Sequence, residues 1–167
     1  PGASLDQIQA LEELTGFALP DDYKALVSVS DGQIPDSGFG LPGWEFYPVE
    51  RVCAEWNIWA DLRASQFVPE GYTCEPASNA IRSDEWWRTG WLPFCGDGGG
   101  NHLCLDLDPT RAGTVGQIIR FWHDDGLRIL VASSLTGFIE EITSDLERGE
   151  LVWNDDWGGI YVPFDQD

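Results

Sequence analysis

The sequence predicts an α+β fold: N-terminal helices, a largely antiparallel, mixed sheet of about five to six strands, and a closing helix, in a single compact domain. Three observations carry that expectation. Two helix-start signals precede Asp31-Gly32. From Trp91 onward, short apolar runs are separated by Gly- and Asp-rich turns. An amphipathic run then follows Ser133-Ser134. Helices, then strands, then a helix is not the alternation of a βαβ repeat.

Ser4 with Gln7 three residues on is a capping-box pattern, and Leu5, Ile8, Leu11 and Leu14 give the helix behind it an apolar face. Gly16 is its stop. Pro20-Asp21-Asp22 opens a second helix, with carboxylates at the positive end of its dipole, and Tyr23, Leu26 and Val27 line one side. Residues 33–43 hold three Gly and two Pro and read as loop. Trp44 to Val49 reads as a short strand. Val52, Trp56, Trp59 and Ala60 recur at helical spacing, which places a third helix from about Glu50 to Gln66. Residues 67–79, with Pro69, Gly71 and Pro76, are expected to be irregular.

Trp91 to Cys95 and His102 to Asp108 form two strands around the turn Gly96-Asp97-Gly98-Gly99-Gly100-Asn101. The second alternates, with Leu103, Leu105 and Leu107 on one face and His102, Cys104, Asp106 and Asp108 on the other. Gln117 to His123 and Arg128 to Ala132 are joined by the hairpin signal Asp124-Asp125-Gly126. Ser133 or Ser134 caps the last helix, carrying Leu135, Phe138, Ile139, Ile142 and Leu146 and ending at Gly149. The core is expected over residues 5–148, with an acidic, Trp-containing extension over 150–167 whose Ile160 to Val162 packs back as a strand.

Nine Lys and Arg against 29 Asp and Glu give a formal charge of −20. Such a surface repels phosphate and anionic lipid, so neither nucleic acid nor a membrane surface is expected as partner; a basic protein is. No run of ~18 apolar residues exists for a membrane span. Pro1 to Ser4 lacks a signal-peptide pattern, so a cytoplasmic location with reduced thiols is expected. Cys53, Cys74, Cys95 and Cys104 form no CxxC pair, and no metal or cofactor is expected. Cys95 and Cys104 fall on neighbouring strands of a hairpin, where two small buried hydrophobes are the preferred reading over a disulfide.

The glycine turn lacks the Lys and following helix of a phosphate loop, and its glycines suit positive backbone angles instead. Asp97, Asp106, Asp108, Asp124 and Asp125 could converge on a cation, but their spacing is not that of a calcium loop; solvated turn carboxylates are the preferred reading. His102 and His123 with Cys95 or Cys104 would sketch a small Cys/His hydrolase, but no nucleophile-elbow or papain-like setting surrounds them. The nine Trp (Trp44, Trp56, Trp59, Trp86, Trp87, Trp91, Trp122, Trp153 and Trp157) are more than a core of this size needs. Trp anchors binding hot spots. Trp86 and Trp87, between Asp84-Glu85 and Arg88, are expected to expose one ring. With Asp84, Glu85, Asp124 and Asp125 they are the candidate partner-binding residues.

Three ordered segments resemble a known family: Leu19 to Leu26 ending in Asp31-Gly32; Trp91 to Phe94 through Gly96–Asn101 into Leu103 to Leu107; and the closing helix around Ser134, Leu135, Phe138 and Ile139. Together they resemble the SUKH superfamily, which includes fungal SMI/KNR cell-wall regulators and many bacterial proteins. The resemblance covers about residues 5–148, with an insert-like stretch over 67–90 and the tail after 149 as departures. It implies an α+β fold, no enzymatic activity, and Pro20, Tyr23, Gly32, Trp91, Pro93, Asp97, Gly100, Asn101 and Phe138 as fold-defining positions. It also implies, first, an immunity protein that neutralises a cognate toxin, a basic nuclease for example. The alternative is a regulatory scaffold of cell-wall or envelope assembly. Mimicry of DNA by the acidic surface is a third expectation, and would need carboxylates in duplex-like rows.

Overall fold

The structure is a computed structural model that describes residues 1–34, 38, 40–67, 73–156 and 158–163. Pro69, Gly71 and Trp157, named above, lie outside them. Helix α1 (Leu5–Thr15) begins on the expected box: Gln7 N–H donates to Ser4 Oγ at 3.3 Å, and Ser4 N–H donates to the Gln7 side chain at 2.9 Å. It ends on left-handed Gly16. Helix α2 spans Asp21–Val29 and starts after Pro20 without a side-chain cap. The Trp44–Val49 strand shrinks to β1 (Glu45–Phe46), because α3 (Val49–Ala64) starts at once. Pro48 cannot cap α3, so Asp31 Oδ1 accepts the Val49 N–H at 2.7 Å instead. Gly32 makes that approach possible: its φ is +79°, and an added Cβ would lie 2.4 Å from Pro48 N.

The main sheet has the order β1-β3-β4-β5-β6-β2, with β2 (Glu75–Pro76), β3 (Trp91–Gly96), β4 (His102–Asp106), β5 (Gln117–Phe121) and β6 (Leu127–Ala132). Every pairing is antiparallel except β2 with β6, which is parallel. The mixed α+β fold is therefore as expected, but β2 was expected to be irregular. Two residues suffice there because β2 is an edge strand, where Pro76 is tolerated. Pro93 sits next to a register shift in β3, and β1 covers only Cys95 and Gly96, so its missing N–H breaks no β1–β3 rung. Helix α4 (Leu135–Arg148) is capped by Ser134 Oγ, which accepts the Gly137 N–H at 3.0 Å. The tail packs Leu151 and Ile160 against the core but does not join the main sheet as a strand. Its β8 (Gly159–Tyr161) pairs with β7 (Val152–Asn154) in a separate two-stranded sheet, because Asn154 and Gly158 close a local turn that gives each strand a nearer partner.

The alternation in β4 does not separate core from solvent: all five of its residues are buried. Leu103 borders a small cavity with Phe138 and Ile142 of α4, and α4 lies against β5 and β6, so α4 covers one face. His102, across from Phe121, meets Trp59 of α3, so the face written as polar lies under aromatic rings. Tyr23 is also fully buried, edge-on to Phe94 at 6.4 Å.

Candidate binding site

The segment after Ile81 runs across the α3-facing side of the sheet. Both Trp86 and Trp87 are buried there, so the expectation that one ring stands exposed is overturned. The reason is packing: Trp86 meets Trp59 at 5.6 Å and Phe121 at 5.4 Å, and Trp87 meets Trp56 at 6.2 Å. Such edge-on pairs add stability beyond the area they bury. Among the described residues the exposed indoles are elsewhere, at Trp122 and Trp153.

Arg128, fully buried, joins this segment to the β5–β6 hairpin. Its Nη2 donates to Trp86 O at 2.9 Å, and its Nη1 donates to the carbonyls of Trp122, Asp125 and Leu127. The guanidinium also stands 4.5 Å from the Phe121 ring centre. One side chain thus brings the Asp84–Trp87 and Asp124–Asp125 candidates together, although far apart in sequence. Arg128 was read only as a strand start; a lone charge leading the apolar run Ile129 to Val131 is the signal that could have marked it.

Beside Trp86 and Trp87 a cavity of about 650 Å³ opens between them and the last turn of α3. Arg63, Gln66, Phe67 and Cys74 line it with Asp84 and Glu85. Arg63 grips both oxygens of Glu85, at 2.6 and 2.7 Å, and this contact holds the Glu85 carboxyl below its ordinary range. Arg88 Nη1 donates to Asp84 Oδ1 and likewise holds that carboxyl below its ordinary range. Burial pushes the Cys74 thiol up, so it stays protonated at neutral pH. Gln66 is in the left-handed region at φ +57°, where α1 and α4 use Gly16 and Gly149.

The other sketched sites do not assemble. Asp97 builds its own turn: Oδ1 accepts from Gly99 N–H at 2.7 Å and Asn101 N–H at 3.1 Å, with Gly98 and Gly100 at φ +79° and +92°. Asn101 Oδ1 in turn accepts the His123 N–H at 3.2 Å, tying the turn to the end of β5. Asp106 lies at the opposite end of β4, bound by Gln117 Nε2 at 2.8 Å, and burial raises it to about 6. The five Asp candidates therefore do not converge, and among the described residues no group of three or more His, Cys, Asp or Glu is placed for a metal. His102 Nε2 accepts from Trp59 Nε1 at 3.0 Å, and burial lowers the ring to about 4, so it is neutral with that lone pair engaged. Cys95 and Cys104 are free and buried, and burial raises both thiols, so the pair packs as small hydrophobes rather than as a disulfide.

Comparison with known proteins adds to this picture. The model of the SMI1 / KNR4 family (SUKH-1) matches residues 2–141. The chain is 28% identical over 171 residues to the "Cell wall biosynthesis/cell cycle regulator smi1" of Schizosaccharomyces pombe, covering 93% of this chain and 33% of that protein. It is 26% identical over 193 residues to the "Glucan synthesis regulatory protein" of Neurospora crassa, covering 93% and 35%. It is 42% identical over 73 residues to "KNR4/SMI1 homolog 2" of Debaryomyces hansenii, covering 42% and 12%. The chain thus spans about a third of the length of the first two curated relatives.

Proposed function

The chain belongs to the SMI1/KNR4 (SUKH-1) family, and on that premise we propose that it is a non-enzymatic, protein-binding module that regulates cell-wall assembly. The observation that carries this is the alignment of 93% of the chain with two proteins named as regulators of wall biosynthesis and of glucan synthesis. Those names favour the regulatory scaffold, the alternative expectation, over toxin neutralisation, the first one. The buried, protonated thiols and the neutral, engaged His102 support a non-enzymatic role. No helix among the described residues is long and apolar enough to cross a membrane. In this reading the domain works in the cytoplasm, which suits four free cysteines, and contacts its partner around Trp86, Trp87, Asp84, Glu85, Asp124 and Asp125.

The test is a chimaera. This chain replaces the matching third of the fission-yeast regulator in a strain lacking that protein, and resistance to wall-digesting enzyme is measured. Restored resistance is expected, while an inert chimaera that accumulates normally would overturn the reading. The charge of −20 keeps toxin neutralisation as a second reading: steering toward a basic toxin is its physical basis. It predicts that co-expression with such a toxin restores growth.

A further inference from the structure

We propose that the cavity between the last turn of α3 and Trp86-Trp87 receives a Lys or Arg side chain, with an adjoining apolar residue, from an extended segment of the partner protein. The inference rests on the protein-binding reading and names the chemistry of the site. A volume of about 650 Å³ exceeds any single side chain and falls within the ~300–1,000 Å³ typical of ligand sites. It therefore takes a residue and its neighbour.

Charge complementarity selects the occupant. The cations around the cavity are already engaged: Arg63 by Glu85, Arg88 by Asp84 and Asp108, Arg82 by Asp108, and Arg128 by backbone carbonyls. Arg63 and Glu85 are about equally exposed, but Asp84 is the open partner of an Arg88 that is largely covered. The Asp84 side chain is 65% exposed, and Asp124 and Asp125 make no ion pair among the described residues. Asp125 lies within reach of the guanidinium that binds Trp86, so its turn neighbours the cavity wall. The C-terminal end of α3 adds its own partial negative charge, since Ala64 lines the cavity. A cation is thus favoured by the open Asp84 carboxylate and by the end of α3, under a chain charge of −20 that steers basic partners inward. Phe67, exposed on the lining, supplies a ring for the cation face and a surface for the apolar neighbour.

The experiment selects random seven-residue peptides on phage against the intact protein, then measures the enriched sequences as labelled synthetic peptides by fluorescence anisotropy. Enriched peptides are expected to share a Lys or Arg beside an apolar residue. Their binding should weaken about tenfold or more in the double variant Asp84→Asn with Glu85→Gln, and weaken as salt is raised. Ala64→Phe, at an exposed position on the lining, should abolish it while leaving the unfolding midpoint unchanged; Ser83→Phe is the second blocking variant should the first not fold. Enrichment of acidic or purely apolar peptides, no enrichment at all, or full binding by a folded Ala64→Phe or Ser83→Phe protein would overturn the proposal. If peptides bind as expected but the chimaera fails to protect the wall, the regulatory reading falls and the cavity assignment stands. If the wall is protected by a folded Ala64→Phe chimaera, the cavity assignment falls alone.

Discussion

On the side of the sheet that meets α3, Trp59, Trp91 and Phe121 surround His102 and Arg128, while Asp106 and Gln117 bond each other, all four polar groups being buried. On the side that meets α4, Leu103, Phe138 and Ile142 belong to the apolar core with Val131 packed against it, and Leu105, two residues on, shares that face. Both sides exclude water, but by different means. Aliphatic packing is set by volume and tolerates a change of shape that conserves it. A buried polar group is set by its partners, and removing one leaves the others unpaired in a low-dielectric interior. The polar side is therefore the more specific and the more brittle of the two, and it is the side that shapes the cavity.

Substituting the same residue type on each side breaks the comparison most directly. Arg128→Met keeps length and apolar bulk but strands the carbonyls of Trp86, Trp122 and Asp125. It should lower unfolding stability by ~3–5 kcal/mol, in the range for breaking a buried charged network. Leu105→Met, at an equally buried site, should cost less than ~1.5 kcal/mol. Urea unfolding of both variants decides it: equal losses would mean that the two sides do not differ.

Titration gives the next largest effect and separates the two ends of β4. Asp106 is raised from 3.8 to about 6, so as pH rises through that window the unfolded chain loses its proton first and stability falls. Above about pH 6 the burial cost of the carboxylate is fully present. Asp106→Asn should raise stability at pH 7 by ~1–3 kcal/mol and change little below pH ~4. His102 runs the other way. It is lowered from 6.5 to about 4, so as pH falls through that window the unfolded chain gains its proton first and stability falls. In the native protein the two slopes oppose each other between about pH 4 and 6. Asp106→Asn should therefore steepen acid destabilisation, and His102→Gln should soften it; unfolding midpoints across pH should diverge in those directions.

The smallest effect sharpens the contrast between a fold position and a site position. Gln66→Gly relieves a left-handed backbone and should stabilise the protein by ~0.5–1 kcal/mol, read as a raised midpoint in thermal unfolding, while weakening peptide binding. A stability gain with unchanged binding would make Gln66 a local irregularity of the α3 end.

Features made by residues a few positions apart were legible in the sequence. The Ser4–Gln7 box, the Asp97–Asn101 turn and the Ser134 cap appear as expected, because each is a set of hydrogen bonds closed within five residues. The Asp124–Gly126 hairpin was also legible, though β5 stops at Phe121 rather than His123. The candidate site was legible only in part: Asp84, Glu85, Trp86 and Trp87 do border a cavity, but Arg63, Gln66 and Arg128 were not marked, since their roles depend on partners distant in sequence.

The sequence by itself determined the α+β order, the helix ends and the tight turns, through local hydrogen bonding and the conformational range of glycine. It determined the acidity too, which is a sum over residues. Tertiary structure alone decided that the polar face of β4 is buried, that Trp86 and Trp87 belong to the core, and that one arginine joins two distant acidic segments beside a cavity. Burial is a property of what another part of the chain covers. No periodicity within a strand states which helix, or which loop, will come to lie on it.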